Sequence, residues 1–566
     1  MQRGAGRGLD ERADIVRRHR NLGRRAMLVS FLTLLSRLLG YGRDLLMAAL
    51  FGGSSPVLDA FFTGWRIPNL FRRFLGEGAL GVAFQRAMTD TEEREGLEGG
   101  RLLFRAIAKL LLPTLLAFCG ALMLLVWHLP DRMPITGWAW LGADPAFVRE
   151  LTVRLLPYLV VVCLTALAAG ALNVRGRFRA STWTAPTMNL VWIGALVAIG
   201  LTYGWSGPLD NARHLAMARL LAWGVLLAGL AQLLVVLRPV LQEGLWGQGT
   251  GGRGPSEPPS HSTSTLGARR RVLRDTLPLA LGAAVYQVNM LVDGLMAEGL
   301  LSDGGPTAQF FANRFHQLPL ALVAFAILSA VFPSLQALVA KGRRGEARGL
   351  HDRAQMTALF LALPASFGMF FLAEPLVSLF KHGRFDAAEV ARTALALKGL
   401  CLAMVPAGAC AIAVRAHYAF GGTAFVAAIA SVVVAINIAA NLFFVAGMGM
   451  DVEGLALGSA LASWVNLCIL LATLRLRYGE GSTIAGPLRR IAAMLPGAFG
   501  AGLLGRWVHA QLLGSCGNTL ALIVGALAGA LLYFLVAAAL RPPEFDEAME
   551  KIRGVFGLSR KEIKRP

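Results

Sequence analysis

Apolar stretches about twenty residues long, each enough to cross roughly 30 Å of hydrocarbon, recur along nearly the whole 566-residue chain. They fall at 26–51, 56–85, 102–127, 148–173, 183–204, 214–237, 272–300, 307–338, 354–380, 388–414, 423–447, 453–474, 487–508 and 517–540. A chain that crosses a bilayer must satisfy its own backbone polar groups, as helices or as a closed barrel, and the period-2 alternation of a barrel is absent. The pattern therefore predicts an all-α polytopic membrane protein with about fourteen transmembrane helices. Composition agrees: a chain 55% hydrophobic and 16% charged, with a mean hydropathy of +0.56, is too apolar for a string of soluble domains.

The 55 Lys and Arg against 34 Asp and Glu give a formal charge of +21, which in a soluble protein would raise nucleic-acid binding. Here the basic residues fall mainly between apolar stretches, with no aromatic-interleaved patch, so no nucleic-acid partner is expected. Threading the chain through fourteen spans puts 39 of the 55 on the side of the N-terminus, 6 on the opposite side and 10 inside helices. That asymmetry predicts an even span number with both termini cytoplasmic, in a multi-pass protein of the cytoplasmic membrane. The six cysteines form no C-x-x-C, which argues against a disulfide framework or a zinc site. A basic tail of about 25 residues ahead of the first span is unlike a cleavable signal peptide.

The expected organisation is a basic cytoplasmic N-terminal tail (1–25), an N-lobe of spans 1–6 (26–238), a flexible cytoplasmic linker (239–270), a C-lobe of spans 7–12 (271–476), spans 13–14 (477–540) and a basic cytoplasmic C-terminal tail (541–566). The linker contains EGLWGQGTGGRGPSEPPSHSTSTLGA, too rich in Gly, Ser and Pro to bury a core. The C-terminal tail suits either an anionic lipid surface or a solubilising disordered segment. The halves echo one another: GVAFQRAM and SAVFPSLQAL place Phe84 and Phe332 248 residues apart, Pro113 and Pro364 are 251 apart, and LNVRGRF and IAVRAHYAF place Arg175 and Arg415 240 apart. Six spans per half make the repeats parallel, the two-lobed arrangement that alternating access requires.

Charged residues within the apolar stretches carry the chemistry. The first stretch has SRLLGYGRD, with Arg37, Arg43 and Asp44; Arg37 and Asp44 share a helix face, and Arg43 points about a third of a turn away unless Gly40 and Gly42 loosen the helix. The second, LDAFFTGWRIPNLFRRFLGEGALGVAF, sets Asp59, Arg66 and Arg73 on one face, with Asn69 and Arg72 nearby, Glu77 one turn beyond and Pro68 expected to kink the helix. FFANRFHQLP adds Arg314. Left in lipid, the six arginines would cost on the order of 15–20 kcal/mol, at roughly 2.5–3.5 kcal/mol each. One reading pairs each with Asp44, Asp59 or Glu77 as structural glue. The other notes six bases against three acids and supplies the missing charge with an anion, a phosphate or diphosphate suited to guanidinium forks.

The run SRLLGYGRDLLMAALFGGSSPVLDAFFTGWRIPNLFRRFLGEGALGVAF resembles the signature of the MurJ (MviN) lipid II flippases, members of the multidrug/oligosaccharidyl-lipid/polysaccharide exporter superfamily. FFANRFHQLPLALVAFAILSAVFPSL and SLFKHGRF extend the likeness across most of the chain. The resemblance implies a fourteen-helix transporter that moves the undecaprenyl-diphosphate-linked peptidoglycan precursor from the cytoplasmic to the outer leaflet. It maps essential arginines onto Arg37, Arg43, Arg72 and Arg314, acidic positions onto Asp59 and Glu77, and a groove for the polyprenyl tail onto Pro487 to Leu540. It also implies a sodium site at Asp293, Asn437, Asn441 and Ser459, where interhelical hydrogen bonding is the alternative. Asn441 stands where such members carry aspartate, Gln317 where some have glutamate and Ala416 where some have proline.

Sodium is thus the one candidate cofactor, as a coupling ion, and lipid II and membrane lipids are the expected partners of a chain working as a monomer or with cell-wall synthesis proteins. An exporter of another polyprenyl-linked glycan is the alternative; a drug/cation antiporter would want an acidic or aromatic cavity. An enzyme is not expected, since Asp90, Glu92, Glu93, Glu95 and Glu98 lack metal-ligand spacing and neither HExxH nor GxSxG occurs.

Overall fold

A computed structural model describes residues 31–72, 79–131, 144–207, 210–246, 289–478, 485–543 and 545–546. The N-terminal tail, Arg73, Glu77, most of the linker and most of the C-terminal tail lie outside the described residues. No strand occurs among the described residues, and the fourteen apolar stretches lie on helical backbone there apart from short breaks. Nine helices among the described residues are long and apolar enough to cross a membrane.

The chain divides into two compact units. The first comprises, of the described residues, 31–50 and 63–246 except 73–78, 132–143 and 208–209; the second comprises 51–62 and those from 289 onward. The helices are α1 (31–51), α2 (Pro56–Phe71), α3 (Ala79–His128), α4 (Pro145–Leu155), α5 (Pro157–Val174), α6 (Phe178–Tyr203) and α7 (Asn211–Gln242), then α8 (289–300), α9 (Gly305–Ala340), α10 (Arg344–Phe371), α11 (Ala373–Val377), α12 (Ala387–Ala419), α13 (Thr423–Asn441), α14 (Val452–Tyr478) and α15 (Ala485–Leu540). Helix α2 begins in the second unit and ends in the first.

In the first unit, α3 is broken at Gly96, whose φ of 71° is a left-handed conformation that an L side chain adopts only at a cost. The break separates the charged segment around TDTEEREG from the apolar run that follows. The fourth apolar stretch, expected as one span over 148–173, is one apolar segment, Pro145–Val174, whose helix is interrupted at a single residue to give α4 and α5. Asp144 caps the first by accepting from the Phe147 N–H at 3.0 Å, and the break falls at Leu156 because Pro157 has no N–H to continue the ladder. Phe84, Met88, Leu103, Phe104 and Ile107 of α3 bury against Leu167 and Leu172 of α5 and Val236 and Val240 of α7. The turn after α7 is clasped by arginines: Arg105 donates to the Leu245 carbonyl at 3.1 Å and Arg175 to that of Glu243 at 3.0 Å, while Arg177 pairs with the Glu243 carboxylate at 2.6 Å. These donors satisfy carbonyls that the end of a helix leaves open.

In the second unit, α12 packs on α9, α10 and α14, and α15 packs on α10. The ninth stretch breaks at Leu372 into α10 and α11, with Pro375 inside α11, followed by one 3-10 turn, Ser378–Phe380. Helix α15 holds the last two apolar stretches and is broken at Gly517, φ 75°. Small residues let the flanking segments approach closely: a Cβ on Gly529 would overlap the Ala501 carbonyl, and one on Gly525 the Gly505 carbonyl. Tyr533 fixes α15 to α10 by donating its hydroxyl to the Phe360 carbonyl at 2.8 Å. Replacing Gly529 with Leu is expected to destabilise by about 1–3 kcal/mol through overpacking, whereas Leu531→Ala, on a residue 61% exposed, should change little. Thermal unfolding of the purified variants in detergent checks this; equal melting temperatures would contradict the close approach.

Candidate functional site

Helix α1 brings Arg43 and Asp44 into the core of the first unit, 7% and 2% exposed. Arg43 donates from Nε and Nη2 to Asp44 Oδ1 at 3.0 and 2.6 Å, and from Nη1 to Asn189 Oδ1 at 3.3 Å. Asn189 is oriented in turn by donating its Nδ2 to the Ser36 carbonyl at 2.8 Å. The guanidinium lies over Trp192, 4.4 Å from the ring centroid; Trp65 meets Trp192 edge-on at 5.4 Å and Tyr158 at 5.0 Å. Charge, hydrogen bond and ring face together hold a cation where it would otherwise be costly. Arg37, on the same helix, is exposed and has no ion-pair or hydrogen-bond partner among the described residues. Arg66 and Arg72 are half-buried; Arg66 donates to Thr63 Oγ1 at 3.3 Å and Arg72 to Asn69 Oδ1 at 3.2 and 3.0 Å.

Three segments singled out in the sequence converge in the second unit. Asp59, 3% exposed, closes the first turn of α9 from outside: Oδ2 accepts from the Gly304 N–H at 2.5 Å, and Oδ1 from the N–H and hydroxyl of Thr307 at 2.9 and 2.6 Å. The N-cap position itself, Gly304, has no side chain to do this, so a carboxylate from α2 satisfies the orphan donors. Phe62 stacks on Phe310 at 3.8 Å, and Phe311 meets Phe380 and Phe385 of SLFKHGRF at 5.2 and 5.9 Å. Arg314 lies 4.9 Å over Phe310. The start of α12 grips the turn before α2: Glu389 accepts from the Ser54 N–H at 2.6 Å and, in a capping box, from the Asp386 N–H at 2.9 Å.

The second unit also gathers the residues expected to hold a cation. Asp293 of α8 accepts from Asn441 Nδ2 at 2.8 Å and from Ser459 Oγ at 3.4 Å, and Asn441 donates to Asn437 Oδ1 at 3.4 Å. Asn437 and Asn441 are fully buried, yet Asn441 Oδ1 and Asn437 Nδ2 have no hydrogen-bond partner among the described residues. A carboxylate flanked by carboxamides, one with an unpartnered oxygen, offers the oxygen donors that a small hard cation takes. No cluster of three or more His, Cys, Asp or Glu that could hold a metal occurs among the described residues.

Residues 47–525 match the family model described as lipid II flippase MurJ. The chain belongs to the MurJ lipid II flippase family. It is 32% identical over 465 residues to the probable lipid II flippase MurJ of Rhizobium meliloti (strain 1021), covering 80% of each chain, and 31% identical to that of Rhizobium tropici, covering 89% of this chain and 92% of the relative. Its fold is similar to a solved lipid II flippase MurJ in an inward closed conformation, with a TM-score of 0.66, 20% identity and coverage of 91% of this chain and 98% of that one. An inward-facing multidrug resistance MATE family transporter of the MOP superfamily gives a TM-score of 0.58 at 14% identity, covering 78% and 94%. The protein is therefore a multi-pass membrane transporter of MurJ fold.

Within that fold, Arg37, Arg43, Arg66 and Arg72 belong to the first unit and Asp59 and Arg314 to the second. Asp44 and Asp59, grouped in sequence with the head-group residues, direct their carboxylates at donors of the protein itself. The sequence reading did not single out Asn189, Trp192 or Thr307, which are polar or aromatic positions inside apolar helices. Arg43→Ala leaves the Asp44 carboxylate buried without its guanidinium and should cost about 3–5 kcal/mol, whereas Arg43→Met combined with Asp44→Leu should recover most of the loss. Detergent unfolding curves of the two variants decide; equal losses would contradict the pairing.

Proposed function

We propose that the protein flips lipid II, the undecaprenyl-diphosphate-linked peptidoglycan precursor, from the cytoplasmic to the outer leaflet of the bacterial cytoplasmic membrane by alternating access. Membership of the MurJ family over residues 47–525 supports lipid II as cargo. The observation that carries the chemistry is a set of guanidinium groups on apolar helices: Arg37 exposed, Arg43 seated on Trp192, and Arg66, Arg72 and Arg314 half-buried. Such groups replace the hydration of a diphosphate with forked, charge-assisted hydrogen bonds. Outward movement of about two negative charges is favoured by roughly 4.6 kcal/mol per 100 mV of inside-negative potential, before compensating charge on the carrier is counted.

The outward-facing leucines of α15, among them Leu527, Leu531 and Leu535, suit a polyprenyl tail that stays in the lipid phase. Sodium is the proposed coupling ion, with Asp293, Asn437, Asn441 and Ser459 as its holders; the ion would supply charge compensation at Asp293. The protein acts as a carrier rather than a catalyst, as a monomer, with cell-wall synthesis proteins as candidate partners. Export of a different polyprenyl-linked glycan is the second reading, since the arginines recognise the diphosphate and not the sugar.

Depletion of the resident flippase in a cell-wall-forming bacterium tests the function. The wild-type gene should restore outward movement of lipid II, and an equally expressed Arg314→Ala variant should not. Asp293→Asn should slow turnover while leaving head-group binding intact; loss of binding with unchanged single-turnover flipping would exclude the coupling role. Rescue by Arg314→Ala at wild-type rate would remove the arginine from the mechanism.

A further inference from the structure

We propose that Asn289 is a further ligand of the sodium site at Asp293. The inference rests on the sodium reading above and adds a residue to it. Asn289 and Asp293 lie four residues apart on α8, hence on one helix face, and Asn289 Nδ2 is 3.4 Å from Asp293 Oδ2. Its carboxamide oxygen is buried and, like Asn441 Oδ1, has no hydrogen-bond partner among the described residues.

The orientation of these amides follows from the chemistry of Asp293. An ionised carboxylate only accepts, so the two carboxamides that touch it, Asn289 and Asn441, present their N–H ends to it and turn their oxygens away. A cation beside the carboxylate reverses that preference. A half-turn about the terminal bond of each side chain exchanges nitrogen for oxygen, with little change elsewhere in the side chain. The oxygens within reach are then those of Asp293, Asn289, Asn437 and Asn441 and the hydroxyl of Ser459. All are hard oxygen donors, with no thiolate or imidazole among them, which disfavours zinc and copper. A single formal charge among them disfavours calcium, whose affinity rises with the number of charged ligands. Gly458 leaves the space in which Asn441 can turn, for a Cβ there would overlap the Asn441 carboxamide oxygen.

The test is titration of the purified full-length protein in detergent with sodium chloride, against potassium and choline chloride at equal ionic strength. Sodium-dependent thermal stabilisation and equilibrium binding of radioactive sodium are read together. Wild type should be stabilised by sodium and not by potassium. Asn289→Ala should raise the half-saturating sodium concentration roughly 10- to 100-fold, the range lost when a supporting group is removed from a metal site. Asn289→Asp, which adds a charged oxygen at the same place, should lower it. Wild type that binds no sodium would overturn the sodium reading itself. Sodium binding with the same half-saturation in wild type and Asn289→Ala would overturn the assignment of Asn289 and leave that reading standing. If Asn289→Ala does not fold, Asn289→Asp decides, and an unchanged sodium affinity there also overturns the assignment.

Discussion

A guanidinium in the hydrocarbon layer must find partners within the protein, and much of the first unit is arranged around that requirement. Arg43 has a carboxylate from the next residue, a carboxamide oxygen from α6 and an indole face beneath it. Each partner is itself held: Asn189 by the Ser36 carbonyl, Trp192 by Trp65, and Trp65 by Tyr158. Packing of α1 on α6 and the aromatic layer among α2, α5 and α6 are consequences of seating one cation. The arrangement also suits a carrier, because a charge held by several moderate interactions can be handed to an anionic head group without ever being left bare.

Carboxylates do the complementary work at helix ends. Asp59 and Glu389 each accept backbone N–H groups from a segment far away in sequence, the first turn of α9 and the turn ahead of α2. Clamps of this kind are strong because donor dipole and charge add. The phenylalanines of α2, α9 and SLFKHGRF close over the same region of the second unit, so the resemblance-bearing segments meet there in space.

The helical architecture was legible because length and hydropathy alone decide whether a segment can cross a bilayer. The candidate charges were legible because an arginine inside such a segment is costly wherever it points. What sequence could not supply was pairing. Arg43 and Asp44 are adjacent, yet the residues that orient the guanidinium, Asn189 and Trp192, come from about 150 residues away in α6. Asp59 read as one of three acids among the arginines, whereas its donors, Gly304 and Thr307, are placed by tertiary structure. The break at Leu156 was within reach of sequence, since Pro157 marks it, but a continuous apolar run hid it. Asn289 was hidden for the opposite reason: a polar residue inside an apolar stretch carries no signal until its carboxamide is seen on Asp293 with its oxygen unpartnered.

The central claim is that this chain itself carries the diphosphate-linked precursor across a bilayer. The most direct measurement is reconstitution of the purified protein into sealed vesicles loaded with fluorescent lipid II, scoring the fraction that becomes reachable from outside with and without an imposed potential. The account predicts protein-dependent crossing that the potential accelerates and that Arg37→Ala abolishes. Crossing that is independent of both the potential and the arginine, or no crossing of lipid II by a folded protein that still moves another polyprenyl-linked glycan, would contradict it.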